Sequence, residues 1–234
     1  MIRAAAATLL GEGSLTEAPP ALLRTLADEA LPVRLAAAAA LARLRSPGML
    51  PDLLEAAARN TGRSPLVRGS LAHAMSRTAS AAALAETALA HPAAEARLTV
   101  VHALRRLAAR EAAAFLTDQD PVVAAEAARA IYDIPVRSVF PALTALLDPS
   151  PDGTLRLDEA VMRRAIAAAV YLGTSAEARR VAQTALAPET PPALKIMALT
   201  ALETWDGPAL LDPIWNRPET PQPRLPGSAR PAAR

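Results

Sequence analysis

The chain has 234 residues, of which 52% are hydrophobic and 3% aromatic, and 25 Lys and Arg residues face 23 Asp and Glu residues. The net charge of +2 argues against a nucleic-acid binder, which needs a larger cationic surplus to contact phosphates. The absence of cysteine excludes disulfides, thiolate catalysis and covalent c-type haem attachment.

Predicted helices alternate along the chain with short breaks at Pro, Gly, Ser and Asp. About a quarter of the residues are alanine, the strongest helix former, so an all-α protein is expected. The apolar segment 4–10 is too short for a convincing signal peptide, and residues 3–10 are predicted to form the second helix of an initial repeat. The first helices of later repeats are predicted at residues 20–29, 49–59, 79–90, 108–117, 138–147, 175–187 and 207–216.

Six second helices repeat one pattern, in which an anchor residue is followed by alanine six positions later and a large apolar residue seven positions later. The anchors are Arg34, Arg68, Arg97, Ala124, Arg163 and Lys195. Their spacing of 27 to 39 residues is typical of two-helix repeats that stack on their neighbours. The sequence therefore predicts an all-α fold, an α-solenoid (αα-superhelix) of HEAT-like or armadillo-type repeats with about six to seven helix pairs.

The solenoid is predicted to cover residues 1–217, with a loop insertion at 148–158. The proline-rich residues 218–234 are predicted to form an extended or disordered tail. No apolar run approaches the roughly 20 residues that a membrane-spanning helix needs, so no membrane association is expected.

The anchor of each second helix is predicted to lie on its buried stripe, because positions three, four and seven residues later share the same arc. A buried arginine near a helix N-terminus is unfavourable unless a carboxylate pairs with it. We therefore expect a ladder of ion pairs between layers. The candidate carboxylates are Asp28, Glu29, Asp118, Asp120, Asp158 and Glu159.

The opposite face of the second helices is expected to be exposed and is the candidate surface for a protein partner. Arg, Tyr and His side chains suit the recognition of carboxylate-rich or aromatic peptide surfaces. The alternative is a solvated helix face with no binding role. The candidate residues are His73, Arg77, His102, Arg105, Arg106, Arg129, Tyr132, Asp133 and Tyr171.

No group of residues specifies a chemical reaction. The chain has three histidines, no H-E-x-x-H motif and no Gly-rich phosphate loop. His73 and His102 occupy equivalent repeat positions, but without a cysteine or a suitably spaced carboxylate they are not expected to hold a metal. We therefore expect no catalytic residue, no metal and no cofactor, and a chain that is not an enzyme.

Most of residues 20–217 resemble the HEAT-repeat segment of large secreted bacterial dehydrogenase-like, haem-binding c-type cytochrome proteins. The motifs that carry the resemblance are HPAAEARL at 91–98, ALRRL at 103–107, FLTDQDP at 115–121 and EAARAIYDIPV at 126–136. In that family the helical segment links a β-propeller to a cytochrome module, and the redox chemistry belongs to those flanking domains. Because this chain has no cysteine, no haem-binding residue carries over.

The resemblance implies a periplasmic or secreted parent family, although the chain itself gives no localisation. It also implies a fragment or truncated relative, whose uncapped terminal repeats are expected to bind a partner or to self-associate. The sequence thus favours a non-enzymatic scaffold for protein–protein interaction. The alternatives are a structural spacer from a larger periplasmic haem-binding dehydrogenase-like protein and, less favoured, a helical-repeat nucleic-acid binder.

Overall fold

A computed structural model describes residues 2–13, 17–46, 48–60, 64–149, 158–207 and 211–224. Over these residues the protein is helical, with no β-strand and one isolated bridge between Leu211 and Pro218. The prediction of an all-α, helical-repeat fold is confirmed. The helices are α1 (Ile2–Glu12), α2 (Pro20–Arg24), α3 (Leu31–Leu44), α4 (Leu50–Ala58), α5 (Pro65–Thr78), α6 (Ala81–Leu89), α7 (Ala94–Arg106), α8 (Pro121–Tyr132), α9 (Phe140–Thr144), α10 (Glu159–Leu172), α11 (Ser175–Leu186) and α12 (Pro192–Glu203).

The chain divides into two compact units, Met1–Ala130 and Ile131–Arg234, which we call the first and second unit. Helix α8 begins in the first unit and its last two residues lie in the second. A single solenoid over residues 1–217 stays a prediction.

In the first unit, short first helices alternate with longer second helices. Helices α1, α3, α5 and α7 pack in succession, α4 packs against α5 and α7, and α6 packs against α7. Proline opens several of them, because its missing N–H group would be unpaired in the first turn anyway. Ser64 and Ser80 cap α5 and α6 by accepting N–H groups of the first turn.

In the first unit, the alanine at the sixth position after each anchor is buried. Ala40, Ala74 and Ala103 are fully buried. A Cβ atom added to Gly11 of α1 would lie 2.6 Å from the Cα and Cβ atoms of Ala40. The small residues therefore let neighbouring helices approach closely, as the repeat pattern predicts.

A buried ion pair joins α7 to the turn before α8. Arg97 Nε lies 2.7 Å from Asp118 Oδ2, and Arg97 Nη2 lies 2.9 Å from Asp118 Oδ1. Both side chains are only 5% exposed. Burial alone would raise the pKa of Asp118, but hydrogen bonds from Arg97 and from the N–H group of Asp120 hold that pKa below its ordinary value. This rung of the predicted ladder is confirmed.

Other rungs in the first unit use different partners. Arg68 donates two hydrogen bonds to Glu95, of 2.9 and 3.0 Å, and Glu95 was not among the predicted carboxylates. Asp28 pairs at 2.8 Å with Arg3 of α1. Among the described residues, Arg34 forms no ion pair with a carboxylate. Its side chain donates hydrogen bonds to the backbone carbonyl oxygens of Asp28 and Glu29. The ladder therefore exists, but its partners vary.

Each turn before a second helix in the first unit is held by one side chain that accepts a backbone N–H group. The bonds are 2.8 to 3.2 Å long, and the acceptors are of three chemical types, carboxylate, amide and imidazole. The acceptor and donor residues are Asp28 and Ala30, Asn60 and Ser64, His91 and Ala93, and Asp118 and Asp120. This recurring turn fixes the entry of each second helix.

The first helix predicted at residues 108–117 is instead a short 3-10 helix, Arg110–Phe115. The anchor spacing from Arg97 to Ala124 is 27 residues, the shortest in the chain, and it leaves little room for an α-helix. A 3-10 helix rises about 2.0 Å per residue against 1.5 Å in an α-helix, so it spans the same distance with fewer residues.

In the second unit, α10 packs against α9, α11 and α12. Asp158 caps α10 by accepting the N–H group of Ala160 at 2.8 Å. Arg163, the predicted anchor, pairs with Glu159 on the exposed side of the helix. The buried arginine is its neighbour Arg164, so the predicted register is wrong by one residue here. Of the loop predicted at 148–158, residues 150–157 lie outside the described residues.

The helix predicted at residues 207–216 is wrong over the described residues 211–216, which form a turn. Asp212 Oδ1 accepts the N–H groups of Ile214 and Trp215, and Pro213 has no N–H group to donate. The side chain thus supplies the local hydrogen bonds that a helix would have made through its backbone.

The described part of the predicted tail, residues 218–224, lies extended against the second unit. The N–H group of Gln222 donates to the carbonyl oxygen of Tyr171 at 3.0 Å, and Gln222 Nε2 donates to the Tyr171 hydroxyl at 3.0 Å. Arg224 donates to the carbonyl oxygens of Val170 and Trp205. Residues 225–234 lie outside the described residues.

We expect Asp118→Ala to lower the free energy of unfolding by about 3 kcal/mol, because the substitution leaves the buried guanidinium of Arg97 without its counter-charge. Glu159→Ala removes the exposed partner of Arg163 and should cost less than about 0.5 kcal/mol. Urea unfolding followed by circular dichroism measures both. Equal costs for the two variants would contradict the role given to the buried pair.

Candidate functional site

Six of the nine candidate residues lie in the first unit, on three second helices. Three of them are exposed and three are half-buried. The exposed residues are His73 and Arg77 of α5 and Arg106 of α7, and the half-buried residues are His102 and Arg105 of α7 and Arg129 of α8.

The buried carboxylate of Glu126 brings the three half-buried residues together. Arg105 Nη1 lies 2.9 Å from Glu126 Oε1, and Arg129 Nη1 lies 3.3 Å from Oε2. His102 Nδ1 lies 3.6 Å from Oε1. Sequence reasoning missed Glu126, although its i,i+3 spacing to Arg129 is a recognisable signal for a pair on one helix. The cluster joins α7 to α8 and fixes these side chains.

His102 has a lowered pKa. The main cause is burial, which disfavours the charged imidazolium, and the nearby positive charges of Arg68 and Arg105 act in the same direction. The carboxylates of Glu126 and Glu95 oppose this shift without cancelling it. The imidazole of His102 is therefore neutral near pH 7.

An arginine occupies the ninth position after the anchor in three successive second helices. These residues, Arg43, Arg77 and Arg106, are exposed and lie in the last turns of α3, α5 and α7. Arg43 donates from Nε to the carbonyl oxygen of Gly11 at 3.3 Å. Within the described part of the chain, Arg77 and Arg106 form no hydrogen bond or ion pair. Sequence reasoning missed Arg43, although the repeat position itself identifies it.

The second helices α3, α5 and α7 carry far more basic than acidic residues. In α3, α5 and α7 the one acidic residue is Glu95, which lies in a first turn and pairs with Arg68. The first helices carry the acidic residues Asp52, Glu55, Glu86 and Glu111. We call the surface formed by the second helices the cationic face, consisting of Arg43, His73, Arg77, His102, Arg105, Arg106 and Arg129.

The other three candidates lie in the second unit and are not exposed, so their assignment to an exposed face is wrong. Tyr132 is 2%, Asp133 9% and Tyr171 8% exposed. The C-terminal residues fold back onto them: Asp212 accepts the hydroxyl of Tyr132, and Gln222 binds Tyr171. Burial raises the pKa of Tyr132, and the hydrogen bond to Asp212 adds to this effect.

These buried residues form a structural cluster. Asp133 accepts two hydrogen bonds from Arg164, of 2.8 and 3.1 Å, and one from Trp215 Nε1 at 3.0 Å. The ring of Phe140 stacks on Tyr132 with centroids 5.6 Å apart and makes a T-shaped contact with Tyr171 with centroids 5.5 Å apart. Donors and acceptors here satisfy one another, so the cluster stabilises the second unit.

A cavity of about 160 Å³ adjoins this cluster, lined in part by Tyr132, Arg137, Asp212 and Glu219. Ligand pockets usually exceed roughly 300 Å³. The polar groups of the lining also bind one another, since Arg137 pairs with Glu219 at 3.1 Å. The cavity therefore lacks both the volume and the open donors of an ordinary ligand site.

Among the described residues, no group of three His, Asp or Glu side chains lies close enough together to hold a metal ion. Within the same residues, every helix is too short or too polar to cross a membrane.

Residues 1–76 match the family model for HEAT repeats, which covers α1 to nearly all of α5. No curated protein matches the chain. Among solved structures, the chain is similar to one from the complex of CpcE and CpcF of phycocyanin lyase from Nostoc sp. PCC7120. The identity is 24%, the TM-score is 0.37, and the match covers 86% of this chain and 82% of that chain.

These comparisons correct one expectation and leave another open. The expectation that the chain is not an enzyme is contradicted, because the similar structure comes from a lyase complex, and we withdraw it. At a TM-score of 0.37 the likeness carries no argument for lyase activity in this chain. The HEAT-repeat resemblance is confirmed for residues 1–76. The finer resemblance to dehydrogenase-like cytochrome proteins stays a prediction.

We expect acidification to destabilise the protein partly through His102. Because folding lowers the pKa of His102, the unfolded chain takes up a proton more readily, and stability is lost as the pH falls below about 6.5. His102→Gln should therefore lose less free energy of unfolding between pH 7 and pH 5 than the wild type. Urea titrations at both pH values measure this difference.

A second neutral replacement provides the control: His102→Asn should show the same pH dependence as His102→Gln. Identical pH dependence in the wild type and His102→Gln would show that His102 does not contribute.

Proposed function

We propose that this helical-repeat protein is a scaffold for protein–protein interaction and that the cationic face of the first unit binds its partner. The match to HEAT repeats supports a repeat protein of this kind over residues 1–76, which include α3 and most of α5.

The observation that carries the proposal is a pair of exposed arginines, Arg77 and Arg106, on neighbouring second helices, which have no partner among the residues that the structure describes. Arginine is enriched among the residues that contribute most to protein interfaces, because its planar group offers five donors. An exposed arginine by itself is ordinary. Here two arginines occupy the same repeat position on neighbouring helices. The one acidic residue of α3, α5 and α7 is already paired, so these two arginines offer unused donors to a partner.

The scaffold beneath these side chains is held firmly. Arg97 and Asp118 link α7 to the next turn, Arg68 and Glu95 link α5 to α7, and Glu126 fixes part of the face itself. A surface that is ordered before binding loses less conformational entropy when a partner arrives. The ion pairs thus support a preformed interaction surface.

The alternative is a structural spacer from a larger periplasmic haem-binding protein, as the sequence resemblance implies. A spacer would contact its neighbouring domains through its two ends, and its cationic face would bind no partner. The two functions therefore differ in what substitutions on this face do.

We expect Arg77→Ala/Arg106→Ala to recover about tenfold less partner than the wild type in affinity capture from the native cell extract, because the main donors of the face are lost. The control Asp52→Ala/Glu86→Ala changes two exposed acidic residues on the first helices and should recover the wild-type amount. Mass spectrometry quantifies co-eluting proteins, and thermal unfolding confirms that both variants fold. Equal recovery by all three proteins would overturn the assignment of this face and favour the spacer.

Self-association through α12 stays a second proposal. On α12, Ile196 is 65% and Leu199 57% exposed, and the two lie on one side of the helix. Because exposed apolar side chains that share one side of a helix favour burial against another surface, we expect concentration-dependent association of the wild type in analytical ultracentrifugation. Ile196→Glu/Leu199→Glu should remain monomeric. A monomeric wild type at every concentration would exclude this association.

A further inference from the structure

We infer that the partner of the cationic face is an extended acidic protein segment that presents a carboxylate at every third residue. The inference rests on the proposed function and specifies the chemistry of what binds there. Its basis is the row formed by Arg43, Arg77 and Arg106, which repeats once for each helix pair.

The distance between successive arginines of the row sets the distance expected between successive carboxylates of the ligand. Helices α3, α5 and α7 pack directly against one another, and packed helices lie about 8 to 10 Å apart. The three arginines occupy the same position in each helix, so the row advances by that distance at each step. An extended chain in the polyproline II conformation has three residues per turn and advances about 3.1 Å per residue. Every third side chain therefore lies on the same face, and successive side chains on that face are about 9 Å apart. A helical ligand, rising 1.5 Å per residue, would need six or seven residues for one step.

Carboxylates are the groups that best fit these donors. A guanidinium binds a carboxylate through two parallel hydrogen bonds, and such charge-assisted bonds are stronger than neutral ones. Arg77 and Arg106 have no partner among the described residues, so no existing ion pair must break when they bind.

The rest of the face favours a peptide over a nucleic acid. Binding a duplex through its phosphates needs many cations, because the duplex carries one negative charge about every 1.7 Å along its axis. Here Glu126 already binds Arg105 and Arg129, which leaves few arginines of the face available. A small number of available arginines fits a short acidic peptide better than a nucleic acid.

Fluorescence anisotropy with the full chain tests this inference, using three labelled peptides built on one neutral sequence. One peptide carries three Glu residues at positions i, i+3 and i+6, one carries them at adjacent positions, and one carries Gln at the spaced positions. We expect the spaced peptide to bind about tenfold more tightly than the adjacent one, because only it reaches all three arginines, and the Gln peptide to show no binding.

Variants connect the binding to the row. Arg77→Ala/Arg106→Ala should lose the preference for the spaced peptide, while Asp52→Ala/Glu86→Ala should retain it. An arginine in the last turn also interacts favourably with the helix dipole, so thermal unfolding of each variant must accompany the titrations. Arg77→Lys/Arg106→Lys keeps the charge and should recover part of the affinity but not the full spacing preference, because lysine cannot form the bidentate pair.

The outcomes separate this inference from the proposed function. Equal binding of the spaced and adjacent peptides would overturn the inference, while partner capture that depends on Arg77 and Arg106 would still support the scaffold. Partner capture that does not depend on Arg77 and Arg106 would overturn both the inference and the proposed function. If a single-stranded oligonucleotide binds more tightly than the spaced peptide at the same salt concentration, the inference is overturned and the ligand of this face is a nucleic acid.

Discussion

The pairing of Arg97 with Asp118 is the interaction on which the first unit most depends. A buried guanidinium must satisfy its donors, and Arg97 does so with the carboxylate on one side and the carbonyl groups of His91 and Pro92 on the other. The same side chain thus binds the turn before its own helix and the turn before the next one. The pair thereby fixes the position of α8 relative to α7, and Glu126 reaches the cationic face from α8.

Much of the helical pattern could be predicted because it depends on local spacing. The alanine at the sixth position after each anchor is a local signal, and Ala40, Ala74 and Ala103 are buried as expected. Identifying ion-pair partners was less successful, since a carboxylate is selected by three-dimensional proximity. Glu95 pairs with Arg68 from 27 residues away, and in the second unit Arg164 replaces the neighbouring anchor.

The candidate site shows the same division between local and distant causes. His73 and Arg77 are exposed, as expected where the helical period alone decides exposure, whereas His102, Arg105 and Arg129 are half-buried. Tyr132 and Tyr171 were misassigned because Asp212 and Gln222, 80 and 51 residues further along the chain, cover them. Nothing in the helical period signals that return of the chain.

The cationic face contains arginine and histidine but no lysine, and Lys195 is the one lysine of the whole chain. Acetylation of amines, a common means of switching off basic surfaces, therefore has no target among these side chains. Guanidinium groups also keep their proton throughout the physiological pH range, so acidity leaves the arginine row equally charged. Ionic strength is the remaining environmental control, because mobile ions screen exposed charges within about 8 Å at physiological salt.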